Sequence, residues 1–455
     1  MVRRAHALKV GISTTLLALL AAGATAVEVS EPPRPALSRD ALIALLHDNP
    51  ARARQLGRQL FCRQFTTREG AGAARSTTMR AAQAQSCMVC HNVPYGDAGS
   101  GATIGRSGPS GRSTPHLFGV GPLERLAQAI TAQLLATADA DHDGTVSPAE
   151  AAEHPALLDP DGDGAEPAIS FGTFAHDGVP ALDPSLRVWF VGADGRRLAA
   201  ARGLHEPGVA SFRFAHGPFG WSAADGEDPR ATASLRGFIV GAFAAHAGIE
   251  VDDPGLAEIA DSGWAASEPN GTRPLFMGGV PDAGIRRDAA GRSLDDPDGD
   301  GVPSELSAGE VDLVGAYLRG LPQPVERHEA RGFAAGRARF AVIGCTACHV
   351  PDWHLSNVTV NGVYSDLRHH DLGPACHQLR FDGGTTTRFR TPPLWGVGTS
   401  APYGHDGASL DLDAVIRRHG GEAAESAAAY RALSDTAQDE LLAFLRALVL
   451  EPQAP

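Results

Sequence analysis

Two Cys-x-x-Cys-His pentapeptides, Cys87-Met88-Val89-Cys90-His91 and Cys345-Thr346-Ala347-Cys348-His349, constrain this chain more than anything else in it. Paired thiols at this spacing can form thioether bonds to the two vinyl groups of haem. The adjacent histidine then lies under the iron as its proximal ligand. Two such motifs imply two covalently bound haem c groups, and hence a redox protein. The cofactor-binding set read from them is Cys87, Cys90, His91, Cys345, Cys348 and His349.

With 455 residues the chain can build two or three domains with real cores. Its net charge of −14 argues against nucleic-acid partners. An acidic surface suits a basic electron donor or acceptor instead, such as a small cytochrome or a cupredoxin. Arg3, Arg4 and Lys9 precede an apolar stretch from Val10 to Ala22, and Ala24-Thr25-Ala26 offers a small-x-small cleavage site. Residues 1–26 therefore read as a secretory signal peptide, too short in its apolar part to anchor the mature protein in a membrane. Periplasmic export agrees with covalent haem, which bacteria attach outside the cytoplasm. Lys9 is the only lysine, so Schiff-base and lysine-base chemistry is excluded from the mature protein. Cys62 and Cys376 remain outside the pentapeptides. In an oxidising compartment they either pair and tie the two haem regions together or stay as separate buried thiols.

Apolar residues recur at three- and four-residue steps from Arg39 to Phe65, which predicts helix. A Gly/Ser-rich loop is expected from Gly96 to Ser113, and a helix from Leu123 to Ala138. Val188-Trp189-Phe190-Val191, a turn at Ala193-Asp194-Gly195 and a second alternating run predict a small hairpin. Helix returns at Thr232–Gly248, Val311–Leu321, Arg331–Ile343 and Thr436–Val449. Pro322 and Pro324 mark a boundary. The expected fold is mainly α, with two cytochrome c-type haem domains at 27–322 and 323–455, long loops and a small β-hairpin insert. The function of the insert, from about 165 to 235, is not legible.

Acidic loops complete the pattern. Asp139, Asp141, Asp143, Thr145, Ser147 and Glu150 fall at the ligand positions of an EF-hand calcium loop, with Gly144 at the sharp turn. Asp296, Asp298, Asp300 and Glu305 suggest a shortened version of the same cage. Asp159-Pro160-Asp161-Gly162-Asp163-Gly164 has no twelfth-position acid and reads as a solvated acidic turn. Hard oxygen ligands suit Ca²⁺ rather than a redox metal.

Around the haem motifs, several stretches resemble the di-haem oxidoreductase (putative peroxidase) family, which is related to bacterial di-haem cytochrome c peroxidases and to the methylamine dehydrogenase maturation enzyme. They are 117–124 (LFGVGPLE), 219–221 (FGW), 336–340 (GRARF), 364–373, 390–398 (RTPPLWGVG), 401–407 (APYGHDG) and 419–423 (HGGEA). The resemblance implies that His91 holds a reactive haem and His349 an electron-transfer haem. It also implies that His419 takes the distal position on the second iron, where the relatives have Met or Tyr. Peroxide cleavage needs an open iron position and an acid/base, and Glu124 is the candidate for the latter. His116 is a pocket donor or a sixth ligand, at a position where the family usually shows an apolar residue or proline. His370 with Asp371, and His405 with Asp406, suit haem-propionate or outer partners. Trp221 and Trp395 suit packing or electron transfer. The expected activity is peroxidase-like, on peroxide or a small oxidisable substrate. The alternative is a non-catalytic di-haem electron-transfer cytochrome or a redox-complex subunit.

Overall fold

The helices begin where the sequence supplies caps. Asn49 accepts the Arg52 N–H at 3.1 Å and is followed by Pro50, so a first helix, α1 (Arg39–Asp48), gives way directly to α2 (Pro50–Cys62). Ser307 and Glu310 close a capping box at the head of α4 (Ala308–Arg319). Asp411 caps α6 (Leu412–Arg418), and Ser434 caps α8 (Asp435–Arg446). Between them lie α3 (Val120–Ala138), α5 (Phe333–Val342) and α7 (Ala424–Ala432).

The structure, a computed structural model, describes residues 39–66, 84–92, 98–107, 110–142, 145–146, 149–150, 155–162, 164, 168–173, 179–180, 189–191, 197–199, 235, 239, 242–247, 249, 251–252, 305–379 and 385–451. It is mainly helical with small strand pairs, each of two strands, among the described residues. Trp189–Val191 pairs antiparallel with Arg197–Ala199, the expected hairpin. The Gly/Ser-rich segment is more ordered than expected of a loop. Gly101–Ser107 and Ser110–Thr114 form an antiparallel hairpin, with a register shift between Gly101 and Ile104. No described helix is long and apolar enough to cross a membrane. The leader, the 219–221 stretch, Asp143, Ser147 and Asp296–Asp300 lie outside the described residues.

Two helix crossings repeat one design. In the first, a Cβ on Gly57 of α2 would lie 1.8 Å from the Leu313 carbonyl oxygen and 3.0 Å from Tyr317 Cβ on α4. In the second, a Cβ on Gly336 of α5 would lie 2.1 Å from the Glu440 carbonyl oxygen and 2.6 Å from Phe444 Cβ on α8. Four residues after each glycine stands a phenylalanine. Phe61 packs 5.4 Å from the Tyr317 ring and Phe340 packs 5.5 Å from the Phe444 ring. The chain thus holds Gly-Arg-x-x-Phe twice, at 57–61 and 336–340, each facing an aromatic one turn beyond the glycine's contact.

Three apolar clusters surround these crossings. One gathers α1, α2 and α4 with Phe65, Phe243 and Ile249. Another sets Leu123, Leu126, Ile130 and Leu134 of α3 against Trp353, Val363 and Trp395. The third joins α5 and α8 through Phe333, Phe340, Tyr364, Tyr430 and Phe444.

Gly336→Ala should separate α5 from α8 and lower stability by about 1–3 kcal/mol, read as a fall in melting temperature. An unconstrained helical glycine would respond the other way, gaining about 0.5–1 kcal/mol from the same change. The sign of the shift therefore decides whether the crossing needs glycine.

Candidate haem-binding sites

Each pentapeptide follows one of the two crossings and folds as a single 3₁₀ turn. Ser86 caps Cys87–Val89 through the Met88 N–H, and Cys345–Ala347 repeats the turn. The turn brings the histidine back over the first cysteine. His91 N–H donates to Cys87 O at 3.0 Å, and His349 N–H donates to Cys345 O at 3.0 Å.

Both histidine rings are then held from behind. His91 Nδ1 donates to Pro115 O at 3.0 Å, and His349 Nδ1 donates to Tyr364 O at 3.0 Å. An Nδ1–H bound to a carbonyl leaves the other ring nitrogen, Nε2, with its lone pair exposed, which is how proteins orient a metal-ligating imidazole. Burial holds both rings at about 4, against the hydrogen bonds to Pro115 and Tyr364, so both are neutral at physiological pH. The flanking rings match as well: Phe61 stands 6.1 Å from His91 at 52°, and Phe340 stands 6.0 Å from His349 at 53°. Burial pushes the Cys87 and Cys345 thiols up to about 12, so each is a protonated thiol in the bare chain. Two free thiols, a neutral imidazole with Nε2 open and an aromatic wall fit a haem at each site.

Tyr364 adopts a left-handed backbone, φ 49°, while fully buried. A non-glycine residue held there costs about 1–3 kcal/mol and persists only where its surroundings dictate it. Here its carbonyl is the acceptor that orients His349.

Behind the second site, the stretches at 364–373 and 419–423 converge. Imidazole Nε2 of His370 donates to Asp366 Oδ2 at 2.7 Å, and Nδ1 donates to Glu422 Oε2 at 2.7 Å. A ring that meets carboxylate oxygens through both nitrogens must carry both protons. Burial opposes that charge, but the Asp366 bond outweighs it and His370 is pushed up to about 11. Asp371, the next residue, accepts the Gly373 N–H at 2.7 Å. Adjacent strand residues point to opposite faces, so Asp371 cannot share the side of His370.

His419 caps α6 and donates from Nδ1 to Val415 O at 2.7 Å, which leaves its Nε2 free in the same manner as the two motif histidines. Its imidazole is close enough to His349 to help lower that ring, after burial. The preceding Arg418 fixes the cap through two bonds to Asp406, at 2.7 and 2.6 Å. His405 stacks on Phe389 at 4.2 Å and lies 3.9 Å from Asp406.

At the first site the neighbours differ. Glu124, buried on α3, accepts from Arg319 Nε at 2.5 Å, from Arg319 Nη2 at 3.0 Å and from the Leu235 N–H at 2.8 Å. Both oxygens are engaged, and the residue ties α3 to α4. His116 donates from Nε2 to the Trp395 carbonyl at 2.9 Å. His116 directly follows Pro115, whose carbonyl accepts from His91 Nδ1. A residue that sequence reasoning passed over, His246, lies in a π-helical turn, Phe243–Ala247, packed against the 84–91 loop. The Ala84 N–H donates to the His246 carbonyl at 3.2 Å. Its imidazole contributes to lowering His91. Only the π-helical turn itself, a form frequent at functional sites, could have drawn attention to it.

No disulfide joins any of the six cysteines. Cys62 packs with Cys87 in the first core, while the Cys376 sulphur faces Arg418 O at 3.9 Å, so these two do not pair. Carboxylate oxygens of Asp139, Asp141 and Glu150 lie within 4.8 Å of one another, and Glu150 accepts the Ala140 N–H at 2.7 Å. Thr145 begins a two-residue strand, and Glu305 is buried just before α4.

These features describe two matched candidate haem sites, the second of which lies in a segment with a family match. Residues 282–448, which contain the second site, match the family described as "Di-haem oxidoreductase, putative peroxidase". Among solved structures, the chain is similar to Kuenenia stuttgartiensis hydrazine synthase pressurised with 20 bar xenon, with 19% identity and TM-score 0.23, covering 31% of this chain and 55% of that one. It is also similar to a MauG-like protein associated with microbial copper homeostasis, with 19% identity and TM-score 0.22, covering 31% and 56%. The chain thus spans about half the length of each. A search of curated proteins finds no match.

His370→Ala would leave the Asp366 carboxylate, 1% exposed, without its buried counter-charge, and should cost about 3–5 kcal/mol. The folded value for His370 lies above the 6.5 of a free imidazole. Its pairing therefore adds stability that is complete below pH 6.5 and is lost as pH rises toward about 11. Melting curves of the two proteins from neutral to alkaline pH should converge; a constant gap would show that the charge is not involved.

Proposed function

We propose that the chain is an exported, periplasmic di-haem c-type oxidoreductase with peroxidase-like chemistry. The haem at Cys87 and Cys90 is its reactive site, and the haem at Cys345 and Cys348 is its electron relay. The observation that carries this reading is the state of three imidazoles. His91, His349 and His419 each have Nδ1 committed to a backbone carbonyl and Nε2 left to bind. His349 and His419 are a pair suited to hold one iron from both faces. An iron with two imidazole ligands passes electrons, whereas one with an open axial position can meet peroxide.

Within this reading Glu124 ties α3 to α4, and neither it nor His116 takes part in the peroxide chemistry. Glu124 has no oxygen to spare, and His116 gives its Nε2 N–H to the Trp395 carbonyl. Asp366, His370 and Glu422 hold the loop that carries the Tyr364 carbonyl and so keep His349 in place. The 139–150 loop binds Ca²⁺ through Asp139, Asp141 and Glu150, with Asp143, Thr145 and Ser147 completing the cage. Glu305 with Asp296, Asp298 and Asp300 is the weaker candidate for a second ion. The electron partner is a basic periplasmic protein, a small cytochrome or a cupredoxin, docking on an acidic surface.

One observation favours the second reading, a non-catalytic electron-transfer cytochrome. His246 stands near His91, and a bond from it to the first iron would close that site as His419 closes the second.

Electron paramagnetic resonance of the purified holoprotein, oxidised and half-reduced, before and after peroxide, separates the two. The expected result is two haems per chain, peroxide response at one of them, and conversion of the unresponsive haem to high spin by His419→Ala. Two low-spin haems indifferent to peroxide in both states would establish the electron-transfer reading. His246→Ala would then show whether that residue keeps the first site closed. Separately, Asp139→Ala should abolish any rise in melting temperature produced by adding Ca²⁺. A parent protein whose melting ignores both Ca²⁺ and chelator has no such site.

A further inference from the structure

We propose that His116 is the bridging residue through which electrons pass between the two sites. The proposal rests on the reading that His91 and His349 each bind a haem iron. Starting from the first site, His91 Nδ1 is hydrogen-bonded to the Pro115 carbonyl at 3.0 Å, and Pro115 is peptide-bonded to His116. The His116 side chain crosses to the other half of the chain, Nε2 to the Trp395 carbonyl at 2.9 Å. Trp395 is peptide-bonded to Leu394, whose N–H donates to the Val363 carbonyl at 3.0 Å. Val363 is peptide-bonded to Tyr364, and the Tyr364 carbonyl accepts from His349 Nδ1 at 3.0 Å. The route from one imidazole to the other is continuous in covalent and hydrogen bonds. Its one side-chain link is His116.

Electron tunnelling falls off far more steeply across empty contact than along bonds, so a route without a through-space jump dominates slower alternatives. One electron leaves the His349 side and arrives at the His91 side. No proton moves and no bond changes along the way.

The surroundings are shaped for this imidazole. Gly396 has φ 76°, and a Cβ there would lie 2.9 Å from His116 Nε2 and 2.4 Å from a Leu450 methyl carbon, so the glycine makes room for the ring. His116 Nδ1 is buried without a hydrogen-bond partner among the described residues. A buried polar atom left unmet costs about 1–3 kcal/mol, which packing alone would not select. Trp395 itself is buried against α3, fixing the acceptor carbonyl.

The test compares His116→Leu, His116→Gln and His116→Asn in the holoprotein. Glutamine can present an N–H to the Trp395 carbonyl, whereas leucine has no donor and asparagine is too short to reach. Electron exchange between the haems, followed after photoreduction of the half-reduced protein, should slow on the order of tenfold in the leucine and asparagine variants and recover in the glutamine variant. Haem content, midpoint potentials and paramagnetic spectra should stay those of the parent in all three. An unchanged exchange rate in the asparagine variant, or equal slowing in all three, overturns the route. Should leucine fail to fold, asparagine against glutamine gives the same comparison. Fewer than two haems per chain in the parent would instead overturn the two-haem reading on which the route stands.

Discussion

The hydrogen bond from a ring Nδ1–H to a backbone carbonyl, made once by His91 and once by His349, is what the remainder of the architecture serves. An imidazole beside a pair of cysteines is flexible about two torsions, and a ligand that rotates is a poor one. Fixing Nδ1 fixes both the tautomer and the direction of Nε2. Each acceptor carbonyl must then be immobile. At the second site this is achieved at some cost, with Tyr364 in a left-handed conformation and sealed inside the third core. At the first, proline supplies the carbonyl, and its ring already restricts the backbone that presents it.

Behind each histidine the same helix crossing recurs, and its dimensions explain why glycine stands at positions 57 and 336. Only a residue without Cβ lets the helix backbones approach until the carbonyls of Leu313 and Glu440 fill the gap. That approach sets Phe61 and Phe340 at nearly identical distances and tilts to their histidines. The crossing, the phenylalanine and the histidine form one rigid unit, used twice.

The pentapeptides were legible because thioether chemistry is local: five consecutive residues carry it. The helices around them were legible where apolar period and caps coincide, as in α2, α3, α5 and α8. The Gly-Arg-x-x-Phe repeat was present in the chain too. It has meaning only through the partner helix, about 250 residues away in one case and about 100 in the other. The same blindness to distance explains Glu124. A glutamate in a first helical turn reads as a free acid until Arg319, 195 residues later, is seen to take both its oxygens. His370 and Asp371 were named together in sequence as outer partners of a haem, but strand geometry turns the two apart, and His370 meets Asp366 and Glu422. His246 had no motif around it at all. Sequence proximity misleads most for charged groups, whose partners are chosen by burial rather than by spacing.

What distinguishes the two matched sites is therefore not the motif but the charge arranged around it. The second is enclosed by a fixed ionic frame, Asp366–His370–Glu422 on one side and Asp406–Arg418 next to His419 on the other. Paired charges of this kind resist rearrangement, because breaking any one strands its partner in a poorly solvated place. A site built so is suited to keep one ligation state through every redox change. At the first site the Glu124–Arg319 pair joins α3 to α4, and burial lowers His116 to about 4, so that ring is neutral at physiological pH. A relay gains from rigidity, because electron transfer is fastest when nuclei move least. A reacting centre gains from a face that can admit a ligand. The ionic frame around the second pentapeptide suits the relay role proposed for it.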